Sequence, residues 1–337
     1  MRHYVVVGAG AIGCYIGGAL AAAGSRVSFI GRPRVVAGLR SNGLKVSDLE
    51  GRGTHLEPSR FAALERLAEL APAPGEAIIV LLCVKGGATA AAAREIAAAL
   101  PAGTPVVSLQ NGVENVARLK AAAPGLMAIA GMVPFNVVMP APHHAHRATS
   151  GVPWLEQCPL TESLRADFAA AHLAPRLAAD MRAVQWGKLL LNLNNPVNAL
   201  SDLPLREELQ DRDYRRVLAA LISEALAALR AAGIKPAKVA ASPPALLPAI
   251  LRLPDWAFRL VAARMLKIDP QARSSMWDDI LAGRVTEIDD LCGAVQRLAA
   301  AHALAAPVNA KMHSLIDIHL RGRRYTGPQL GMACGLR

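Results

Sequence analysis

An α/β N-terminal half followed by an all-α C-terminal half is the fold class this sequence predicts, and three observations carry it. An apolar strand pattern, Tyr4-Val5-Val6-Val7, runs directly into Gly8-Ala9-Gly10-Ala11-Ile12-Gly13, a G-x-G-x-x-G turn that opens a helix. Continuous apolar runs at 76–84 and 104–109 alternate with helical patterns, as strands buried on both faces of a parallel sheet do. From about Leu177 that alternation gives way to long helical patterns. The expectation is a Rossmann-type dinucleotide-binding domain over residues 1–178 and a helical domain over 179–337.

In the first turn each glycine has a mechanical task. Gly8 makes the turn tight, Gly10 lets the backbone approach a pyrophosphate, and Gly13 lets helix and strand close on each other. The diphosphate then rests on the helix N-terminus, where free N–H groups and the positive end of the helix dipole stabilise an anion. Gly8, Gly10, Ala11, Ile12 and Gly13 are therefore the first cofactor-binding candidates. The helix closes at Gly24, and Arg26-Val27-Ser28-Phe29-Ile30 reads as the second strand. Its end, Gly31-Arg32-Pro33-Arg34, lacks the acid that would bind a ribose 2′-hydroxyl. A guanidinium there suits a 2′-phosphate, which it grips bidentately, so Arg32 points to NADPH rather than NADH.

The run at 76–84 ends in Lys85-Gly86-Gly87. A helix pattern over 89–100 closes at Pro101, and the strand at 104–109 ends in Gln110-Asn111-Gly112. Ligands of open α/β sheets bind beyond the carboxyl ends of the strands, so Lys85 and Asn111 stand where cofactor and substrate are expected to meet. An ordinary Asn-Gly turn and a solvent-reaching lysine explain the same residues without a ligand. Residues 127–138 read as one or two strands. Beyond them, Pro140-Ala141-Pro142-His143-His144-Ala145-His146-Arg147 reads as an exposed loop, and its histidines lack companions at metal-ligand spacing, so no metal is expected.

In the second half, 215–232 is a helix stopped by Gly233, and Ile288, Leu291, Cys292, Val295 and Leu298 mark another. The Pro-rich stretch 236–254 reads only as short helical turns and loop. The chemistry concentrates in Trp186-Gly187-Lys188-Leu189-Leu190-Leu191-Asn192-Leu193-Asn194-Asn195-Pro196-Val197-Asn198. At helical spacing Lys188, Asn192 and Asn195 share one stripe, while Asn194 and Asn198 form a second polar line. Asparagine is a poor helix former, so this density among leucines calls for either a ligand or a buried amide network. Pro196 cannot donate to the carbonyl of Asn192 and should kink the helix there. Further on, Ser274 or Ser275 with Asp278 marks a helix start. Thr286-x-x-Asp289 resembles a capping box, with Thr286 as N-cap and Glu287 as the first helical residue.

Composition narrows the function classes. The chain carries 37 Lys and Arg against 26 Asp and Glu, a net charge of +11 that steers anions. Its basic residues are scattered and only 4% of residues are aromatic, so nucleic acid is not an expected partner. No apolar run approaches a membrane span. Cys14, Cys83, Cys158, Cys292 and Cys334 are odd in number and without a C-x-x-C, as in a reduced, cytoplasmic protein.

Taken together, the Gly8-x-Gly10-x-x-Gly13 turn, Val84-Lys85, Gln110-Asn111-Gly112, Lys188-x-x-x-Asn192, and Ser274-Ser275-Met276 with Thr286-Glu287-Ile288-Asp289 resemble the ketopantoate reductase family in order and spread. The resemblance implies NADPH-dependent reduction of 2-dehydropantoate to pantoate, a step of pantothenate and coenzyme A synthesis. It implies that Lys188 is the general acid, that Glu287 holds its ammonium and the substrate hydroxyl region, and that Ser275 binds the carboxylate. It further implies that Asn111 and Asn192 position the substrate, and that Arg32 and Lys85 contact NADPH. The family has a further asparagine four residues beyond the position of Asn192, where this chain has Pro196, so that contact falls to Asn195 or Asn198 or is lost. The implied partner is a small 2-oxo acid, and a homodimer through the helical domain is compatible with it. A reductase of a different 2-oxo acid and a non-catalytic NADPH sensor are the competing readings.

Overall fold

Alternate residues of β1 (Arg2–Val7) face opposite ways into two separate apolar cores, which is why the run contains no polar partner between Tyr4 and Val7. Tyr4 and Val6 pack with Ile16 and Leu20 of α1 (Ala11–Ala22), whereas Val5 and Val7 pack on the opposite side of the sheet. The computed structural model describes residues 2–73, 75–240, 242–263, 271–318 and 324–336. It divides into two units, Met1–Met181 and Arg182–Arg337.

In the first unit the chain continues through β2 (Arg26–Ile30), α2 (Pro33–Asn42), β3 (Leu44–Asp48), β4 (Gly53–Leu56), β5 (Ala62–Leu64) and β6 (Ala77–Leu82). There follow α3 (Thr89–Ala99), β7 (Pro105–Ser108), α4 (Asn115–Ala122), β8 (Met127–Met132), β9 (Val137–Ala141) and β10 (His144–Arg147). The unit ends with β11 (Trp154–Glu156), α5 (Pro159–Ala170) and β12 (Arg176–Ala178). The main sheet has the order β12-β11-β8-β7-β6-β1-β2-β5, parallel from β5 to β8. From β1 the chain builds outward first on the β2 side and then on the β6 side. The switch point, where ligands of open sheets bind, lies between β1 and β6.

A second, four-stranded sheet runs β4-β3-β10-β9 and corrects the sequence expectation for residues 140–147. That stretch is not an exposed loop but most of two paired strands. The prolines are tolerated because β9 lies at the sheet edge, where a missing N–H costs no ladder bond. Alternation does the rest: Ala145 and Arg147 are buried, while the Ser47 hydroxyl bridges His144 Nε2 at 2.7 Å and His146 Nδ1 at 2.8 Å. Arg147 is held by the carboxylates of Glu50 and Asp48.

The second unit is helical. Its order is α6 (Met181–Asn192), α7 (Asn194–Ser201), α8 (Leu205–Gln210), α9 (Arg212–Ala231), α10 (Leu247–Arg252), α11 (Asp255–Val261) and α12 (Ser275–Leu281). A π-helical turn (Asp289–Gly293) leads into α13 (Ala294–Ala301), followed by α14 (Pro307–Ile318) and α15 (Gly327–Ala333). The 20-residue α9 is the spine, with Val217, Leu218, Leu221, Ile222, Ala225 and Leu229 all buried. The Pro-rich stretch resolves into a 3₁₀ turn (Pro244–Leu246) with α10 and α11, organised by the buried Arg215 of α9. Its guanidinium donates to the carbonyl oxygens of Leu209, Gln210, Leu251 and Leu253 and pairs with Asp255 at 2.7 Å. Among the described residues no helix is long and apolar enough to cross a membrane.

Candidate active site

The glycine turn of the first unit has the shape a diphosphate needs. Gly8 has φ +103°, and a Cβ there would lie 2.6 Å from the Val84 nitrogen. At Gly13 a Cβ would overlap the Gly8 carbonyl oxygen and approach Val6 Cγ1 at 2.8 Å. Both positions thus demand glycine for packing inside the protein. Gly10 differs: it is exposed, and a Cβ would meet nothing within 4 Å, so the protein itself leaves that ledge open. Helix α1 starts at Ala11 and Ile12 with no side-chain cap and no acidic residue in its first turn. The positive end of its dipole is therefore left without a carboxylate, and this fits an anionic dinucleotide. Arg32 follows β2, occupies the N-cap position of α2 and is exposed, as a contact to an adenosine 2′-phosphate requires. The thiols of Cys14 and Cys83, which lie beside this turn in the fold, are pushed up to about 12 by burial, which keeps them protonated.

Lys85 and Asn111 follow β6 and β7, which are neighbours in the sheet. A buried network absent from the sequence reading holds the loops that carry them. Gln110 Nε2 donates to the Val84 carbonyl at 2.9 Å and to Thr89 Oγ1 at 2.8 Å, and its Oε1 accepts from the Ser108 hydroxyl at 2.9 Å. Thr89 passes the chain to Asn115 Oδ1 at 3.0 Å, and Asn115 Nδ2 donates to the Asn111 carbonyl at 2.6 Å. Within Gln110-Asn111-Gly112, expected at the ligand end of the strand, the Gln110 amide faces inward rather than toward a ligand.

In the second unit the helix carrying Lys188 breaks at Leu193, between α6 and α7. This is the interruption that Pro196 imposes, because the Asn192 carbonyl loses its N–H donor. Lys188 and Asn192 lie on α6 and Asn195 on the first turn of α7, all partly buried. Asn195, Ser275 and Glu287 border one narrow crevice together with Met276, Asp279 and Leu291. Burial lowers the Lys188 pKa to about 8, and the Glu287 carboxylate acts against that shift. The second polar line proves structural. Asn198 is fully buried, donates to the Leu203 carbonyl at 2.9 Å and to Glu208 Oε2 at 2.8 Å, and accepts from the Ser274 amide at 2.8 Å. Both its N–H donors are used and it is shut off from solvent, so of the two candidates for the missing asparagine only Asn195 borders the pocket.

Ser274, not Ser275, caps α12, accepting from the Trp277 amide at 3.2 Å, which leaves Ser275 exposed at the first helical position. The start at 286–289 shifts by one residue. The Glu287 carbonyl accepts from the Leu291 amide at 3.2 Å, so Glu287 precedes the helix instead of opening it, and Asp289 is engaged by Arg297 at 2.7 Å. The π-turn that follows could not be foreseen from an apolar pattern common to α- and π-helices.

The profile described as "Ketopantoate reductase PanE/ApbA" matches residues 4–159, and "Ketopantoate reductase PanE/ApbA C terminal" matches 180–319. The chain belongs to the ketopantoate reductase family. Among relatives, the 2-dehydropantoate 2-reductase of Caulobacter vibrioides is 30% identical, over 64% of this chain and 68% of its own length. That of Halobacterium salinarum is 26% identical over 94% of this chain and 98% of its own. A solved ketopantoate reductase family structure from Ralstonia eutropha JMP134 is 29% identical, superposes with a TM-score of 0.79, and spans 94% of this chain and 97% of that one. Membership makes this ketopantoate reductase family protein an oxidoreductase and implies a nicotinamide dinucleotide as cofactor.

Proposed function

We propose that this family member is an NADPH-dependent 2-dehydropantoate 2-reductase acting in pantothenate and coenzyme A synthesis. Bound NADPH supplies a hydride to the C2 carbonyl carbon. Gly8, Gly10, Ala11, Ile12 and Gly13 would hold its diphosphate on the start of α1, Arg32 its 2′-phosphate, and Lys85 and Asn111 the end nearer the substrate. Lys188 donates a proton from Nζ to the C2 oxygen as its π bond to carbon breaks, and the ammonium stabilises the developing alkoxide. Glu287 keeps that ammonium charged, while Asn192, Asn195 and Ser275 orient the acid and its carboxylate. All five cysteines stay as free thiols, which suits a reducing compartment such as the cytoplasm.

The observation that supports this best is the pairing of a desolvated Lys188 with Glu287, the latter in a pocket shared with Asn195 and Ser275. A dinucleotide sensor would have no use for an ammonium tuned to give up a proton. A second reading, a reductase of another 2-oxo acid, is carried by Pro196, which stands where the family has a further asparagine. The test is the loss of NADPH absorbance with ketopantoate, run beside NADH and simple 2-oxo acids. Rapid oxidation of NADPH with ketopantoate alone is expected. Turnover only with another 2-oxo acid would move the assignment to the second reading, and tight NADPH binding without turnover would overturn both.

A further inference from the structure

Glu208 of α8 is a carboxyl group in the interior, 1% exposed, and nothing in the reaction as read above uses it. Its Oε2 accepts from the side-chain amides of Asn198 at 2.8 Å and Asn194 at 3.3 Å. Its Oε1 has no hydrogen-bond partner among the described residues. A buried carboxyl is costly unless hydrogen bonds satisfy it, and removing its partners is costlier still. The bonds show what the geometry holds. Asn198, fixed by Glu208, accepts from the Ser274 amide, and the Ser274 hydroxyl donates to the Asn195 carbonyl at 3.1 Å. Ser274 is the cap of α12 and the residue before Ser275. One continuous chain, Glu208 to Asn198 to Ser274 to Asn195, thus ties α8, α7 and the amino end of α12.

We propose that Glu208 is the positioning residue of the acid-binding pocket, holding Ser275 and Asn195 in register through Asn198 and Ser274. This rests on the reading of Ser275 and Asn195 as substrate contacts. Burial pushes the Glu208 carboxyl up to about 8, so it is mostly uncharged at neutral pH while Oε2 accepts both amides. Glutamine has the same shape and can accept both amides through its carbonyl oxygen, whereas leucine can accept neither.

Steady-state kinetics with ketopantoate and NADPH binding by fluorescence, measured on the full-length enzyme, separate the possibilities. Glu208→Leu should raise the ketopantoate KM by about 10-fold or more, because small misplacements of positioning groups are costly, with the NADPH Kd within about 2-fold of the parent. Glu208→Gln should restore KM to within about 3-fold. Ser274→Ala cuts the chain at its far end with a smaller loss of stability, and should raise KM several-fold even if Glu208→Leu does not fold. Ser275→Ala tests the underlying reading. If it raises KM while a folded Glu208→Leu or Ser274→Ala does not, Glu208 positions nothing and the proposal is overturned. If Ser275→Ala leaves KM unchanged, the pocket reading itself is wrong and the proposal goes with it.

Discussion

At Lys188 two opposing effects meet, and their balance predicts how the reaction depends on pH. Desolvation lowers the pKa to about 8 and Glu287 raises it, so the side chain is mostly ammonium at pH 7. If Lys188 is the proton donor, as proposed, kcat/KM for reduction should fall as pH rises through about 8, approaching tenfold per unit above it. Glu287→Gln removes the raising influence, so the falling limb of the pH profile should move to lower pH. A limb that stays in place would show that Glu287 does not act on Lys188 in solution. Arg32 offers a second residue-scale test. A charge-assisted bond to phosphate contributes about 1.5–3 kcal/mol, so Arg32→Ala should weaken NADPH binding about 10- to 100-fold and leave NADH binding almost unchanged. Equal loss for both cofactors would remove the 2′-phosphate argument. Residue type announced most of these candidates in the sequence, but burial did not follow from type. Asn192, Asn194, Asn195 and Asn198 look alike in the string, and only the partners of Asn198 reveal which line of asparagines holds the protein together.

Among the elements, those with one strong local cause were the legible ones. The parallel strands came from continuous apolar runs, the first helix from its glycine turn, and the α6–α7 break from Pro196. What escaped depends on partners far along the chain. β10 is a strand because β3, about a hundred residues earlier in this fold, offers it an edge, and no local feature of a His- and Pro-rich run announces that. The segment 244–261 forms its short helices around Arg215, whose guanidinium is also stacked 4.2 Å from the Phe258 ring centroid. Arg215→Met keeps much of the volume but leaves four backbone carbonyls without their donor. Each buried acceptor left without its donor costs about 1–3 kcal/mol and partial relaxation recovers some of it, so the loss should be about 3–5 kcal/mol in total. Denaturant unfolding reads this directly, and a loss below about 1 kcal/mol would mean those carbonyls find other donors.

For the molecule as a whole, charge is the property that the sequence declared and that no single contact accounts for. A net charge of +11 creates a positive field, and both NADPH and a 2-oxo acid are anions. Nucleic acid would profit from the same field, but specific binding there needs a stripe or stacking platform, which 4% aromatic residues do not supply. The field acts on encounter rather than on the proposed proton transfer at Lys188, which would be a short-range event between groups already in contact. Salt should therefore separate the two. Between about 0.01 M and 0.15 M ionic strength the screening length shrinks from about 30 Å to about 8 Å, and long-range steering is lost across that interval. The prediction is that kcat/KM for the keto acid and the association rate of NADPH both fall over this range, while kcat measured at saturation holds steady if chemistry limits it. Stopped-flow association and steady-state assays over a salt series check it. A kcat that drops in parallel with kcat/KM would place the salt-sensitive charges at the reacting groups, and the surplus of arginines and lysines would then need another explanation than the capture of anionic ligands.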